Sequence, residues 1–82
     1  MKHYVYILLC ADTTLYTGYT NDLNRRVLAH NTSKTGAKYT KARRPVKLVY
    51  SETFKNKSKA LKREWEIKKM GREGKKELIN IK

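Results

Sequence analysis

One segment decides most of what this chain can become. HYVYILLC, residues 3 to 10, is nearly continuous in its apolar character and rich in β-branched and aromatic residues. As a strand it has no side that suits water, so it is expected at the centre of a sheet covered on both faces. A chain of 82 residues has room for one domain, residues 1 to 82, and its thin core must be assembled around that strand. MKHYVYILLC places only Lys2 and His3 ahead of the apolar run, with no small-residue cleavage pattern after it. It therefore reads as a strand and not a secretion signal, and the cytoplasm is the expected compartment. Cys10 stands alone, which leaves no internal disulfide and no cysteine-based zinc site, and it is expected to be a buried small hydrophobe.

The segments that follow are shorter and alternate. ADTT, residues 11 to 14, turns the chain, and LYTGYT, residues 15 to 20, reads as a second strand in an antiparallel hairpin. Thr20 or Asn21 then caps a helix over NDLNRRVLAHN, with Asp22 in its first turn complementing the helix dipole. TSKTGAKYTKARRP, residues 32 to 45, is a basic loop ending in the chain's one proline, and a loop so long in a small domain is commonly functional. VKLVYSETF, residues 46 to 54, is a third strand. Ser58 is expected to cap a second helix, KALKREWEIKKM, which Gly71 stops. EGKKELINIK ends the chain as one short helix or an irregular tail packing Leu78 and Ile79. The order β-β-α-β-α, with or without a terminal helix, predicts an α+β fold: a small three-stranded antiparallel sheet flanked by helices.

Twenty Lys and Arg against seven Asp and Glu leave a formal charge of +13. Self-repulsion of that size points to a polyanionic partner, and nucleic acid fits best because neutralising its phosphates releases condensed counterions. The competing account is a solubilising surface, but basic residues so outnumber acidic ones that paired surface networks do not explain the excess. A membrane partner is not expected. The apolar runs fall far short of the roughly 20 residues that span a bilayer, and the second helix carries a carboxylate on its apolar face.

That carboxylate is Glu64. At about 100° per residue, Ala60, Leu61, Trp65 and Ile67 fall in one stripe with Glu64 near its middle and Glu66 on the solvated side. Two readings fit the pattern alone: a rim residue paired with a neighbouring cation, or a carboxylate that holds a metal ion. On the first helix, Leu23 and Val27 define the buried face; Arg26 and His30, four residues apart, line its edge, and Arg25 points away. A guanidinium at the border of a core suits phosphate recognition, although a surface arginine and an ordinary rim histidine have the same spacing. Tyr4 and Tyr6 share a face of the first strand, and alternation lets Tyr6 face Tyr16. Together these groups supply what metal-assisted phosphodiester hydrolysis requires: a hydroxyl for water, a cation for phosphate and a carboxylate for a divalent ion. Gly18 marks a point where a ligand or another backbone approaches the second strand closely.

These residues resemble the GIY-YIG nucleases, and specifically the short single-domain bacterial proteins of that superfamily. The first motif stands here as Tyr4, Val5, Tyr6 and the second as Tyr16, Thr17, Gly18, so a tyrosine replaces the leading glycine and a threonine the isoleucine. The likeness continues through Arg26, eight residues after Gly18, then His30, the segment GAKYTKARRPVKLVY and Glu64, covering nearly the whole chain.

The resemblance implies a divalent-metal-dependent endonuclease that hydrolyses phosphodiester bonds in DNA, directed by structure or damage as in DNA repair, or recruited by a protein partner. It implies that Tyr6 and Tyr16 organise the nucleophilic water, with Tyr16 as general base. Arg26 would stabilise the scissile phosphate, His30 would support or exchange protons near the leaving group, and Glu64 would ligate one Mg²⁺ or Mn²⁺. Relatives that cut specific DNA carry additional binding domains; here the grip is expected from Lys34, Lys38, Lys41, Arg43 and Arg44 of the loop and from the lysines of the second helix. Such contacts position a backbone without reading a sequence, so specificity is expected from elsewhere. The alternative is a non-catalytic nucleic-acid-binding module that retains the fold.

Overall fold

The computed structural model describes residues 2–32 and 38–81, and of residues 38, 39 and 81 only the backbone. The apolar run forms β1 (His3–Leu9), which pairs antiparallel with β2 (Leu15–Thr20) on one side and β3 (Lys47–Phe54) on the other. The strand order β2-β1-β3 leaves β2 and β3 as edges and puts Val5, Tyr6, Ile7 and Leu8, each 1% exposed or less, between two helical layers. Val5 and Ile7 pack with Ala60 and Ile67 on one face, supported by Leu78 and Ile79; Tyr6, Leu8 and Cys10 pack with Val46 on the other, supported by Leu23, Val27 and Tyr16. At about 25 cal/mol per Å² of buried apolar surface, those few side chains carry most of the driving force available to so short a chain.

The hairpin between β1 and β2 closes through Cys10, whose amide donates to Thr14 O at 2.9 Å, while Asp12 accepts from the amide and hydroxyl of Thr14. Thr13 sits between them at φ 68°, a left-handed conformation that a β-branched residue rarely adopts. Helix α1 (Leu23–Thr32) is capped by Asp22, which the sequence pattern had placed inside the first turn. The Arg25 amide donates to the Asp22 carboxylate at 3.2 Å, and the Asp22 amide donates to Thr20 Oγ1 at 3.1 Å. Thr20 therefore braces the cap instead of forming it.

The basic segment expected as a loop holds one turn of helix, α2 (Lys38–Lys41). Its far end returns to α1 through Asn31, whose amide side chain exchanges two hydrogen bonds with the backbone of Val46, at 3.0 and 2.7 Å. Helix α3 (Lys57–Lys69) starts two residues before the expected start and is capped by Asn56, not Ser58: Asn56 Oδ1 accepts from the amides of Ser58 and Lys59. Ser58 lies inside the first turn, where a hydroxyl has no orphan amide to serve.

The buried face of α3 also differs from the expected stripe. Ala60 and Ile67 are buried, but Leu61 is 41% exposed and Trp65 60%. The reason lies on β3. Arg63 reaches Glu52 with two hydrogen bonds of 2.9 and 3.0 Å, and Glu52 also accepts from Tyr50, so the helix turns its Arg63 flank toward that strand. Periodicity weighs apolar side chains and has no means of counting this fork between a guanidinium and a carboxylate. Gly71 does not end α3 by a left-handed cap, since among the described residues no glycine has a positive φ. Instead its carbonyl accepts from Lys75 and opens a full terminal helix, α4 (Arg72–Ile81).

Candidate active site

The site begins with the register of β1 and β2, in which Tyr6 stands opposite Gly18 and Leu8 opposite Tyr16. Tyr6 lays its ring across β2. A Cβ at residue 18 would stand 2.5 Å from the Tyr6 hydroxyl and 2.6 Å from its ring carbon, contacts that no side chain tolerates. The sequence pattern expected a ligand or backbone at Gly18; the occupant is this phenol.

From there the Tyr6 hydroxyl meets His30 Nε2 at 2.8 Å, and His30 Nδ1 meets Thr40 Oγ1 at 2.8 Å. His30 is thus no rim residue: it and Thr40 are both fully buried. A neutral imidazole has one N–H, so it donates to one of the two hydroxyls and accepts from the other. Tyr16 completes an aromatic cluster, its ring 5.2 Å from His30 and 6.4 Å from Tyr6 between centroids, and it is only partly buried.

Arg26 is hydrogen-bonded to the Tyr6 hydroxyl and is partly exposed. It lines a polar groove of about 350 Å³ together with Thr20, Asn21, Asp22, Arg25 and Ala29. Arg25, expected to point away, is exposed but lines the same groove. Glu64 approaches from α3, its side chain 18% exposed and its carboxylate 3.1 Å from Lys68 Nζ; its charge is felt at Tyr6. Tyr6, Tyr16, Arg26, His30 and Glu64, spread over 59 positions of sequence from 6 to 64, therefore gather around one phenol.

Burial sets the protonation states. It pushes the Tyr6 phenol up to about 12, with the Tyr16 and Glu64 charges adding to the rise and Arg26 opposing it. Burial likewise holds His30 down at about 4, with the charges of Arg26 and Arg44 lowering it further. At neutral pH both groups are uncharged and their hydrogen bonds are spent inside the protein.

The expected basic grip is placed less uniformly. Lys41 is exposed. Arg43 is ion-paired with Asp12 at 2.9 Å, and Arg44 donates to the carbonyls of His30 and Ala29, where a cation complements the C-terminal end of α1. Lys34, and the side chain of Lys38, lie outside the described residues. Thr40, by contrast, drew no expectation: one threonine in a polar loop carries no periodic signal, and only tertiary contact reveals it.

As a metal ligand set, the site offers hard oxygen at Glu64 and no cluster of three or more His, Cys, Asp or Glu among the described residues. One carboxylate with water and substrate phosphate suits Mg²⁺ or Mn²⁺ and does not suit a metal that demands an all-protein cage. The donor set fits the implied ion.

Two strand tyrosines thus meet a histidine from α1 in T-shaped ring contacts and each other in a tilted one, with an arginine supplied by α1 and a glutamate by α3. Residues 2–77 match the family model described as the GIY-YIG catalytic domain, and the chain belongs to that family, a nuclease superfamily. Within it, the chain is a short, UPF0213-like member. It is 60% identical over 78 residues to a UPF0213 protein of Staphylococcus epidermidis, covering 95% of this chain and 94% of that one. Identity to a UPF0213 protein of Staphylococcus saprophyticus is 57% over 79 residues, covering 96% and 95%. The solution NMR structure of a UPF0213 protein from Bacillus halodurans superposes with a TM-score of 0.66 at 46% identity, covering 100% of this chain and 86% of that one. A protein from E. faecalis gives 0.67 at 43% identity, covering 99% and 85%. Among the described residues, no helix is long and apolar enough to cross a membrane.

Proposed function

We propose that the chain is a divalent-metal-dependent endonuclease that hydrolyses phosphodiester bonds in DNA, directed by structure or damage or recruited by a protein partner. The observation that supports this reading most is the gathering of Tyr16, Arg26 and Glu64 around the buried Tyr6–His30–Thr40 chain. A single Mg²⁺ or Mn²⁺ held by Glu64 would supply Lewis acidity and offset phosphate charge. Arg26, facing the groove, binds the scissile phosphate and stabilises the charge that accumulates there. Tyr16, the more accessible phenol, positions the attacking water and serves as its base. Tyr6 is too firmly protonated to act as a base and His30 too weakly basic to act as an acid at neutral pH. Their part is to hold the aromatic cluster and Arg26 in place, which narrows the role first expected of His30. Groups locked by buried hydrogen bonds cost no reorganisation when charge develops.

The test is a cleavage screen over supercoiled, branched and single-stranded DNA and over RNA, with Mg²⁺ or Mn²⁺, run beside Glu64→Gln. Metal-dependent cutting that Glu64→Gln abolishes while retaining its circular dichroism is the expected result. Cutting at wild-type rate by Glu64→Gln would falsify the assignment. One observation favours a second reading, a binding module without turnover: Lys68 already neutralises Glu64. Tight, salt-sensitive binding with no cutting of any substrate in either metal would select that reading.

A further inference from the structure

The chain's single tryptophan is in the wrong place for a core residue. Trp65 is 60% exposed on α3, one residue after Glu64, and Leu61, one turn earlier on the same flank, is 41% exposed. Exposed tryptophan is uncommon enough on a small soluble domain to need a reason.

The direction of that flank follows from two contacts. Arg63 extends from one side of α3 to Glu52 on β3. On the opposite side, Lys57 places its ammonium 6.0 Å from the Tyr19 ring of β2. At 100° per residue, Lys57, Leu61, Glu64, Trp65 and Lys68 share that second side. Lys57 and Glu64 stand nearest the β2 edge of that side, while Trp65 turns on toward solvent, about 150° around the helix from the buried Ala60 and Ile67. Around the indole the surface is cationic: Lys69 Nζ is 4.1 Å from the ring centroid, and Lys68 is ion-paired to Glu64.

An apolar ring in a field of lysines does not suit an acidic peptide, which needs charge without stacking, nor a second copy of a chain that carries +13. It suits a polyanion that presents flat apolar faces. Nucleic-acid bases do this, and only where they are unpaired, because a base inside a duplex offers its faces to its neighbours in the stack.

We propose that this flank of α3 binds an unpaired base of a strand that passes Glu64, with Trp65 as the stacking surface and Lys69 on the neighbouring backbone. The substrate class is therefore nucleic acid with an exposed base: single strand, flap, bulge or extrahelical nucleotide. This deepens the endonuclease reading and rests on it. It also gives this domain a way to choose structure without reading sequence.

Because Trp65 is the sole tryptophan, its emission reports on its own occupancy. Full-length protein in excess EDTA is titrated with a short single-stranded oligothymidylate and, separately, with a blunt duplex matched in total phosphate charge. The expected result is saturable quenching by the single strand and little change on binding the duplex. Trp65→Ala, read by anisotropy of a labelled oligonucleotide, should weaken single-strand binding about 5- to 100-fold; Trp65→Phe should recover most of it. Circular dichroism should show both variants folded, since the ring is exposed. Binding of both probes with unmoved emission, or a Trp65→Ala protein that holds single strands as tightly as wild type, overturns the inference and leaves the nuclease reading standing. Failure to bind either probe overturns both.

Discussion

Tyr6 brings its hydroxyl to His30 only because residue 18 has no side chain. Gly18→Ala would set a methyl carbon 2.5 Å from that hydroxyl with no free space beside it. The expected cost is about 1–3 kcal/mol, read as a lower urea midpoint, together with loss of cutting because the Tyr6–His30 contact must break. His30 makes a second prediction at the same scale. Its folded pKa of about 4 lies below the ordinary 6.5, so the unfolded chain binds more protons between those values. The contribution of neutral His30 is complete above about pH 6.5 and is lost as pH falls through 4. A shift of that size corresponds to at most about 3 kcal/mol. Urea unfolding at pH 7 and pH 4 should show a larger acid loss for wild type than for His30→Gln; equal losses would contradict the assignment.

At the scale of elements, what orients α3 is polar. Arg63, Glu52 and Tyr50 join the helix to β3, with the carboxyl of Glu52 held below its usual range by Arg63 and Tyr50 against its burial. Arg63→Ala leaves a partly buried carboxylate without its fork and should cost about 1–3 kcal/mol in unfolding free energy. If α3 then rotates, Trp65 emission shifts to the blue as the ring seeks cover. The cap discriminates too: Asn56→Ala should cost about 1 kcal/mol while Ser58→Ala is near neutral, the reverse of what the sequence pattern suggested. Asn31 does comparable work for the basic segment, pairing with Val46 so that α2 returns beneath α1 with Thr40 under His30.

On the whole molecule, charge is divided between surface and structure. Of the twenty Lys and Arg, Arg43, Arg44 and Arg63 are engaged by Asp12, helix carbonyls and Glu52. The solvated remainder, with Lys41 and Lys69 among it, is available to phosphates. Affinity for DNA should therefore fall about tenfold or more between roughly 0.05 and 0.2 M salt. Lys41→Glu should flatten that dependence, whereas Arg44→Lys should act on stability, because a point charge cannot reproduce the fork on the α1 carbonyls. An affinity independent of salt would remove nucleic acid as the partner.

The central strand, the hairpin and the two main helices were legible in the sequence because each depends on local periodicity, and the candidate site residues were named there from motif spacing. The doubly covered run at residues 3 to 10 could settle nowhere but between two layers. What sequence could not decide was rotation and depth. Whether Glu64 or Trp65 faces the sheet depends on an arginine finding a carboxylate eleven residues earlier on another element. Whether His30 sits at a rim or in the dark depends on a threonine delivered by the single turn of α2. Those are contacts between elements, worth a few kcal/mol and carried by polar groups that hydrophobic patterning assigns to solvent, so only the tertiary structure could place them.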